Sequence, residues 1–136
     1  MQDVRTRADI ERIIASFYDA TLADPIIGFI FTDVAKIDLD EHLPIINDFW
    51  EDALLRSSDK KYHGNTLAVH LHLAEKIALR PGHFTRWLYL FERAVDESNA
   101  GLVAEKMKQR ARSVAKSISA ALTAGKRGNM KLTLGE

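Results

Sequence analysis

The sequence predicts an all-α domain, and three observations lead to that prediction. Apolar residues recur three and four positions apart along almost the whole chain, which is the period of helices with one buried face. The chain shows no internal repeat and no β-rich region. Its 136 residues, 46% of them hydrophobic, suffice for one packed core and leave little room for a second domain. We expect five or six helices in a domain at residues 1–125, followed by a flexible basic tail at residues 126–136.

The first helix is predicted to begin near Thr6 or Asp9, either of which is a suitable N-cap. It should end before Pro25, because a residue that precedes proline avoids the helical region. The segment PIIGFIF follows and is too short for a long helix. We expect a tight corner around Gly28 that carries Phe29 and Phe31 into the core. The apolar face of the first helix is Ile10, Ile13, Ile14, Phe17, Tyr18 and Leu22.

The second helix is predicted from Asp38, which forms a capping-box pattern with Glu41, to about Arg56. Pro44 is tolerable in the first turn of a helix and would kink it if deeper. The polar segment SSDKKYHGNT at 57–66 is predicted to be a loop, and LAVHLHLAEK at 67–76 a helix of about two turns. The apolar face of the second helix is Leu39, Leu43, Ile46, Phe49, Trp50, Ala53 and Leu54.

Two further helices complete the prediction. The first follows Arg80-Pro81-Gly82 and ends near Asn99-Ala100-Gly101, and the second runs from about Leu102 to Ala124 and stops at Gly125. The apolar face of the former is Phe84, Trp87, Leu88, Phe91, Ala94 and Val95. That of the latter is Val103, Met107, Ala111, Val114, Ile118 and Ala121.

Composition excludes several functional classes. Nineteen basic residues balance nineteen acidic ones, which argues against a general nucleic-acid binder. The absence of cysteine excludes disulfides, thiolate metal ligands and a cysteine nucleophile. Phosphate-loop, dinucleotide-binding and zinc-protease motifs are missing. The charged N-terminus does not resemble a signal peptide, and no apolar run approaches the ~20 residues that cross a bilayer, so we expect a cytoplasmic protein.

Histidine is the most informative residue type. Two residues apart on a helix, His70 and His72 point about 200° away from each other, so only one of them can face a given pocket. His70 lies between Leu67 and Leu71, and we expect it to face inward as the single protein ligand of a large apolar cofactor. A small zinc site is the alternative. The five histidines are His42, His63, His70, His72 and His83.

Tyr18 and Trp87 both combine an apolar ring with a polar tip on a predicted buried face. A buried phenol or indole usually needs a hydrogen-bond partner. These residues could be core residues whose polar tips reach backbone carbonyls, or they could present donors to a ligand. His42 taken alone is typical of a solvated first-turn residue.

Five motifs taken together resemble the group III truncated haemoglobins in order and spacing. They are Phe17-Tyr18, EHLPIINDFW at 41–50, the loop around Tyr62-His63-Gly64-Asn65, LAVHLHL at 67–73 and HFTRWLYLF at 83–91. The resemblance covers the chain from about Ile10 to Ala121. It implies a two-over-two helical sandwich that encloses haem b.

The resemblance also implies roles for particular residues. His70 matches the proximal ligand of the haem iron, and Tyr18, His42 and Trp87 match the distal ligand-binding residues. Lys61, Tyr62 and Arg80 are candidate partners for the haem propionates. The residues implied to line or back the haem pocket are Phe31, Phe49, Trp50, Leu54, Tyr62 and Leu88.

The leading functional hypothesis is therefore a haem protein that reversibly binds O2, nitric oxide and other diatomic ligands. Tight O2 binding would suit nitric oxide detoxification or peroxide chemistry better than oxygen transport. Nitric oxide turnover would need a separate reductase, because the chain has no flavin or nicotinamide fingerprint. The alternatives are a cofactor-free helical interaction module and a haem-based sensor with a separate output partner.

Overall fold

A computed structural model of the chain describes residues 1–55, 60–64 and 78–127, with side chains described as far as residue 122. Its elements are α1 (Arg7–Leu22), a short π-helical turn (Ile30–Val34), α2 (Leu39–Leu55), α3 (Pro81–Ser98) and α4 (Leu102–Arg127). No strand occurs in these ranges. The predicted helix at 67–76 lies outside the described residues. The prediction of an all-α fold is confirmed.

Helix α1 begins and ends where the sequence predicts. Thr6 is its N-cap and accepts a hydrogen bond from the backbone N–H of Asp9, whose carboxylate accepts in return from the N–H of Thr6. This reciprocal pair satisfies two N–H groups that the first turn leaves without helical partners. The buried face includes Ile10, Ile13, Ile14, Phe17 and Tyr18, as predicted.

The segment after α1 forms the predicted tight corner, but one of its core assignments is wrong. A Cβ atom at Gly28 would lie 2.8 Å from the carbonyl oxygen of Leu22, so this close backbone approach requires glycine. Phe29 is 40% exposed and does not enter the core. The corner is helical rather than extended, and its spacing of three directs Ile27 and Ile30 inward instead.

Helix α2 is capped by Asp38, whose carboxylate accepts from the backbone N–H of Asp40 at 3.0 Å. Pro44 lies inside the helix, which continues to Leu55. Ala53 was predicted on the apolar face and is exposed. Trp50 is the most deeply buried apolar residue of α2, while its apolar neighbours keep part of their surface exposed.

Helices α3 and α4 form the second pair. Asn99 ends α3, and Gly101 adopts φ of +145°, a conformation that favours glycine. Helix α4 continues to Arg127 and passes the predicted stop at Gly125, since a glycine near a helix end costs only about 1 kcal/mol. The carboxylate of Asp3 accepts the backbone N–H groups of Val103 and Ala104 and thereby caps α4 from the N-terminal segment.

The helices pack as two layers of two. Helix α1 contacts α2 and α3, and α4 contacts α3 and α2. The fully buried residues of α1, α3 and α4 meet between the layers, among them Ile13, Phe91 and Met107. Within the described ranges, no helix combines the length and apolarity needed to span a membrane.

An ion pair between the buried Asp24 and the partly exposed Arg86 joins the corner to α3. One oxygen of Asp24 accepts from Nε of Arg86 at 2.9 Å and from a second guanidinium nitrogen at 2.6 Å. Its other oxygen accepts the backbone N–H groups of Ile26 and Ile27, each at 3.0 Å. The hydrogen bond from Arg86 lowers the pKa of Asp24 below its usual value, and the two backbone donors add to this effect against the opposing effect of burial.

The Asp24 pair predicts a pH-dependent contribution to stability. A carboxyl with a lowered folded-state pKa stabilises the fold above its unfolded pKa of about 3.9, and this contribution is lost as the pH falls through the folded value. We expect Asp24→Asn to lower the free energy of unfolding by about 1.5–3 kcal/mol at neutral pH. The difference in unfolding free energy between this variant and the unsubstituted chain should shrink near pH 3.

Urea unfolding at neutral pH and near pH 3 measures this difference. Asp19→Asn, on an exposed position of α1, is the matched control and should change stability little at either pH. A loss of unfolding free energy in Asp24→Asn that is equally large at both pH values would contradict the role proposed for the Asp24–Arg86 ion pair.

Candidate functional site

The residues that carry polar chemistry meet where α1 crosses α2. The hydroxyl of Tyr18 and Nε2 of His42 lie 2.8 Å apart in a hydrogen bond, and their rings stand perpendicular at a centroid distance of 5.6 Å. Tyr18 is only 6% exposed. Burial raises the pKa of Tyr18 well above its ordinary value, so the phenol keeps its proton at physiological pH. His42 is thus half-buried in a polar pair rather than simply solvated.

Aromatic side chains surround this pair. Phe31, from the π-helical turn, contacts the ring of Tyr18 edge-on at 6.0 Å. Phe17 contacts Tyr18 at 5.1 Å and Trp87 at 5.8 Å, so it joins the distal candidates of α1 and α3. The half-buried Trp87 stacks on Phe91 at 5.4 Å. The structure therefore brings Tyr18, His42 and Phe31 into direct contact and connects Trp87 to them through Phe17.

A second aromatic group continues from the first. Trp50 stacks on Phe91, the ring on which Trp87 also stacks, and the centroids of Trp50 and Phe91 lie 5.2 Å apart. Phe49 contacts Trp50 and Tyr62 edge-on, each at 5.2 Å. Trp50 is 4% exposed and backs this region, whereas Phe49 and Tyr62 are half-buried.

The loop that carries Tyr62 is tied to α2. The carboxylate of Asp52 accepts the backbone N–H groups of Lys61 and Tyr62, the latter at 2.7 Å. The ammonium of Lys61 pairs with Glu51 at 2.8 Å, and Arg7 of α1 reaches the other oxygen of Glu51 at 2.7 Å. These contacts fix the chain immediately before the segment that contains His70.

The other residues predicted for the site have varied surroundings. Leu54 and Leu88 pack against the core and stay partly exposed. His70 and His72 lie outside the described residues. His63 is exposed, and His83 accepts the backbone N–H of Arg80 through Nδ1 at 3.0 Å at the start of α3. The described part of the chain contains no group of three or more side chains suited to hold a metal ion.

The surfaces and donors of the site fit a haem. Several apolar side chains pack on the core yet keep part of their surface exposed, as contact with a large flat ring requires, and we refer to them together as the apolar wall. The polar groups beside this wall are a phenol and an imidazole, and neither requires a permanent charge to be desolvated. The apolar wall comprises Phe31, Leu43, Ile46, Phe49, Leu54 and Leu88.

Sequence reasoning did not identify how three residues connect the parts of the site. Phe17 and Phe91 were placed on apolar faces, but nothing in the helical period indicated that they bridge the tyrosine and the two tryptophans. Asp52 lies on α2 between apolar positions and was not singled out. Its role depends on the return of the loop to α2, which no local pattern encodes.

Comparison with known proteins adds one solved structure. The chain is similar to the crystal structure of a group III truncated haemoglobin from Campylobacter jejuni, with a TM-score of 0.77 and 25% sequence identity. The similarity covers 90% of this chain and 95% of that one. No protein-family model matches the chain, and the curated proteins provide no match.

The similarity therefore covers nine tenths of the chain. The resemblance inferred from the sequence is therefore confirmed: the chain has the all-α, two-over-two fold of a group III truncated haemoglobin, and this fold supports a globin-type haem protein.

Proposed function

We propose that this chain binds haem b through His70 and reversibly binds O2 and other diatomic ligands on the side that Tyr18 and His42 face. The observation that carries the proposal is the hydrogen bond between the buried Tyr18 and the half-buried His42, beside the apolar wall. A phenol and an imidazole brought together from separate helices are costly to bury unless they are used or fully satisfied. The truncated haemoglobin fold supports the same interpretation.

Tyr18 acts as a hydrogen-bond donor to the ligand. A haem held by His70 would supply the iron that binds O2 and related ligands, and hydrogen-bond donors beside it would stabilise the bound ligand. With the Nε2–H tautomer of His42, the ring donates to the phenol oxygen, and the Tyr18 O–H is left to donate to the ligand. The raised pKa of Tyr18 keeps that proton in place.

Trp87 supplies the second donor. Its position is fixed by ring contacts with Phe17 and Phe91, which leave the indole little rotational freedom. A preorganised neutral donor costs no reorganisation when charge develops on the ligand. Each hydrogen bond to a ligand that carries negative charge contributes roughly 1.5 kcal/mol, about a tenfold change in affinity.

The apolar wall and the loop at 60–64 hold the haem in this proposal. Phe31, Phe49, Leu54 and Leu88 provide apolar contacts, with Trp50 behind them. Tyr62 is the propionate partner that we favour, because its ring contacts Phe49 of the apolar wall.

Two hydrogen-bond donors that slow the release of bound O2 suit a reaction of that O2 better than its transport. We propose that O2 held in this pocket reacts with nitric oxide, or that the pocket reduces peroxides. Both activities need electrons from a separate reductase, because the sequence has no flavin or nicotinamide fingerprint.

A haem titration of the purified chain tests the proposal. We expect a strong Soret band that saturates at one haem per chain, and a spectral change on adding O2 to the reduced protein that reverses when O2 is removed. A chain that remains colourless, or that takes up haem without saturation, would favour the cofactor-free interaction module instead.

A further inference from the structure

Seven aromatic rings form one unbroken line through the described structure. Each ring contacts the next, with successive centroid distances of 5.1, 5.8, 5.4, 5.2, 5.2 and 5.2 Å. The line crosses from α1 to α3, then to α2 and finally to the loop at 60–64. In order, the rings belong to Tyr18, Phe17, Trp87, Phe91, Trp50, Phe49 and Tyr62.

Readily oxidised rings alternate with phenylalanine rings along this line, which we call the aromatic array. Phenols and indoles are the side chains here that lose one electron most readily, and every two of them are separated by a single phenylalanine. Electron tunnelling weakens steeply with distance and with gaps in packing. The stacked Trp87–Phe91–Trp50 unit, with interplanar angles of 19° and 27°, leaves no such gap between the two indoles. The oxidisable residues are therefore spaced for stepwise electron transfer.

The two ends of the array differ in their surroundings. Tyr18 is buried and hydrogen-bonded to His42 Nε2. In the Nδ1–H tautomer of His42, which applies when no bound ligand takes the Tyr18 hydrogen bond, this nitrogen accepts the phenol proton when an electron leaves. Tyr62 is half-buried on a loop that the Asp52 carboxylate holds against α2. A radical at Tyr18 is sheltered by the core, whereas one at Tyr62 can meet reductants at the protein surface.

We propose that the array conducts single-electron oxidation from the Tyr18 end of the pocket to Tyr62. The oxidant class is an oxygen-centred radical derived from a hydroperoxide. This radical takes one electron from Tyr18 and one proton from solvent and becomes an alcohol, while the phenol proton passes to His42.

An electron from Tyr62 then crosses Trp50 and Trp87 to the Tyr18 phenoxyl radical. His42 returns its proton to Tyr18, and the phenol proton of Tyr62 goes to solvent. In net terms the oxidant becomes an alcohol, Tyr62 becomes a neutral phenoxyl radical and every other residue is restored. This moves the radical from the buried Tyr18 to the half-buried Tyr62 and goes beyond ligand binding.

Pulse radiolysis tests the array directly. Dibromide radical anions oxidise the indoles of the purified chain by one electron, and the indolyl and phenoxyl radicals are followed by their separate absorption bands. Phenoxyl radical should grow as indolyl radical decays, at a first-order rate that does not depend on protein concentration. Because the radical is generated on the indoles themselves, the result does not depend on whether the proposed haem binding is correct.

Three variants locate the path. Tyr62→Phe should lower the phenoxyl yield several-fold, and Trp50→Phe should slow its growth several-fold. Tyr89→Phe is the matched control, because Tyr89 is 52% exposed and contacts arginines rather than the array. Circular dichroism confirms that each variant keeps its helices. A full phenoxyl yield in Tyr62→Phe, a loss of yield in Tyr89→Phe, or a rate that rises with protein concentration would overturn the proposal.

Discussion

Replacing His70 with alanine is expected to abolish the haem spectrum of the loaded chain. In the proposed site the imidazole is the single protein ligand of the iron, so its loss leaves only the apolar contacts and the propionate contact of Tyr62 to hold the ring. Removal of a residue that merely orients a metal ligand costs about 10–100-fold in affinity. Loss of the ligand itself should lower haem affinity by more than that, as a titration followed at the Soret band will measure.

His72→Ala is the matched control for this prediction. It removes the same group two positions along, where the helix predicted from the sequence at 67–76 would direct it away from the pocket. We expect near-normal haem binding in His72→Ala, and partial recovery of the spectrum in His70→Ala when free imidazole is added. Loss of haem in His72→Ala with retention in His70→Ala would exchange the two roles.

The helices themselves could be predicted because their signals are local. The cap at Thr6, the proline at 25 and the apolar face of α1 all act within one or two turns, and the structure confirms each of them. Phe29 shows the limit of this reasoning. In a segment too short for its period to be recognised, an aromatic residue was assigned to the core, and a helical corner directs it outward.

The contacts that build the site join distant parts of the chain. Tyr18 and His42 were each singled out, yet their hydrogen bond depends on how α1 crosses α2. The pairing of Asp24 with Arg86 spans 62 positions and has no local signature. For such residues the chemistry of the side chain could be predicted, whereas its partner could not.

The capping of α4 gives a second example. Sequence reasoning identified the turn at Gly101 from its residue type. It did not identify Asp3, which supplies the carboxylate that caps this helix from the other end of the chain. A Cβ at Gly101 would collide with the Asp3 side chain, so the glycine serves that contact as well as the turn.

Replacing Tyr18 with phenylalanine is expected to speed the loss of O2 about tenfold, because a buried donor to a charged ligand contributes roughly 1.5 kcal/mol. The aromatic ring remains, so its contacts with Phe17 and Phe31 are preserved. The change thus removes the hydroxyl alone.

Tyr89→Phe is the control for this substitution. It removes an equivalent hydroxyl from an exposed ring on α3 and should leave O2 dissociation unchanged. Comparison of the two variants separates the loss of a particular hydrogen bond from the general effect of removing a phenol.

Stopped-flow measurement of O2 dissociation from the reduced, haem-loaded chain and from Tyr18→Phe tests most directly whether the Tyr18–His42 pair faces the ligand. We predict slow release from the unsubstituted chain and release about tenfold faster from the variant. Equal rates in the two proteins would show that Tyr18 does not contact the ligand and would contradict the proposed site.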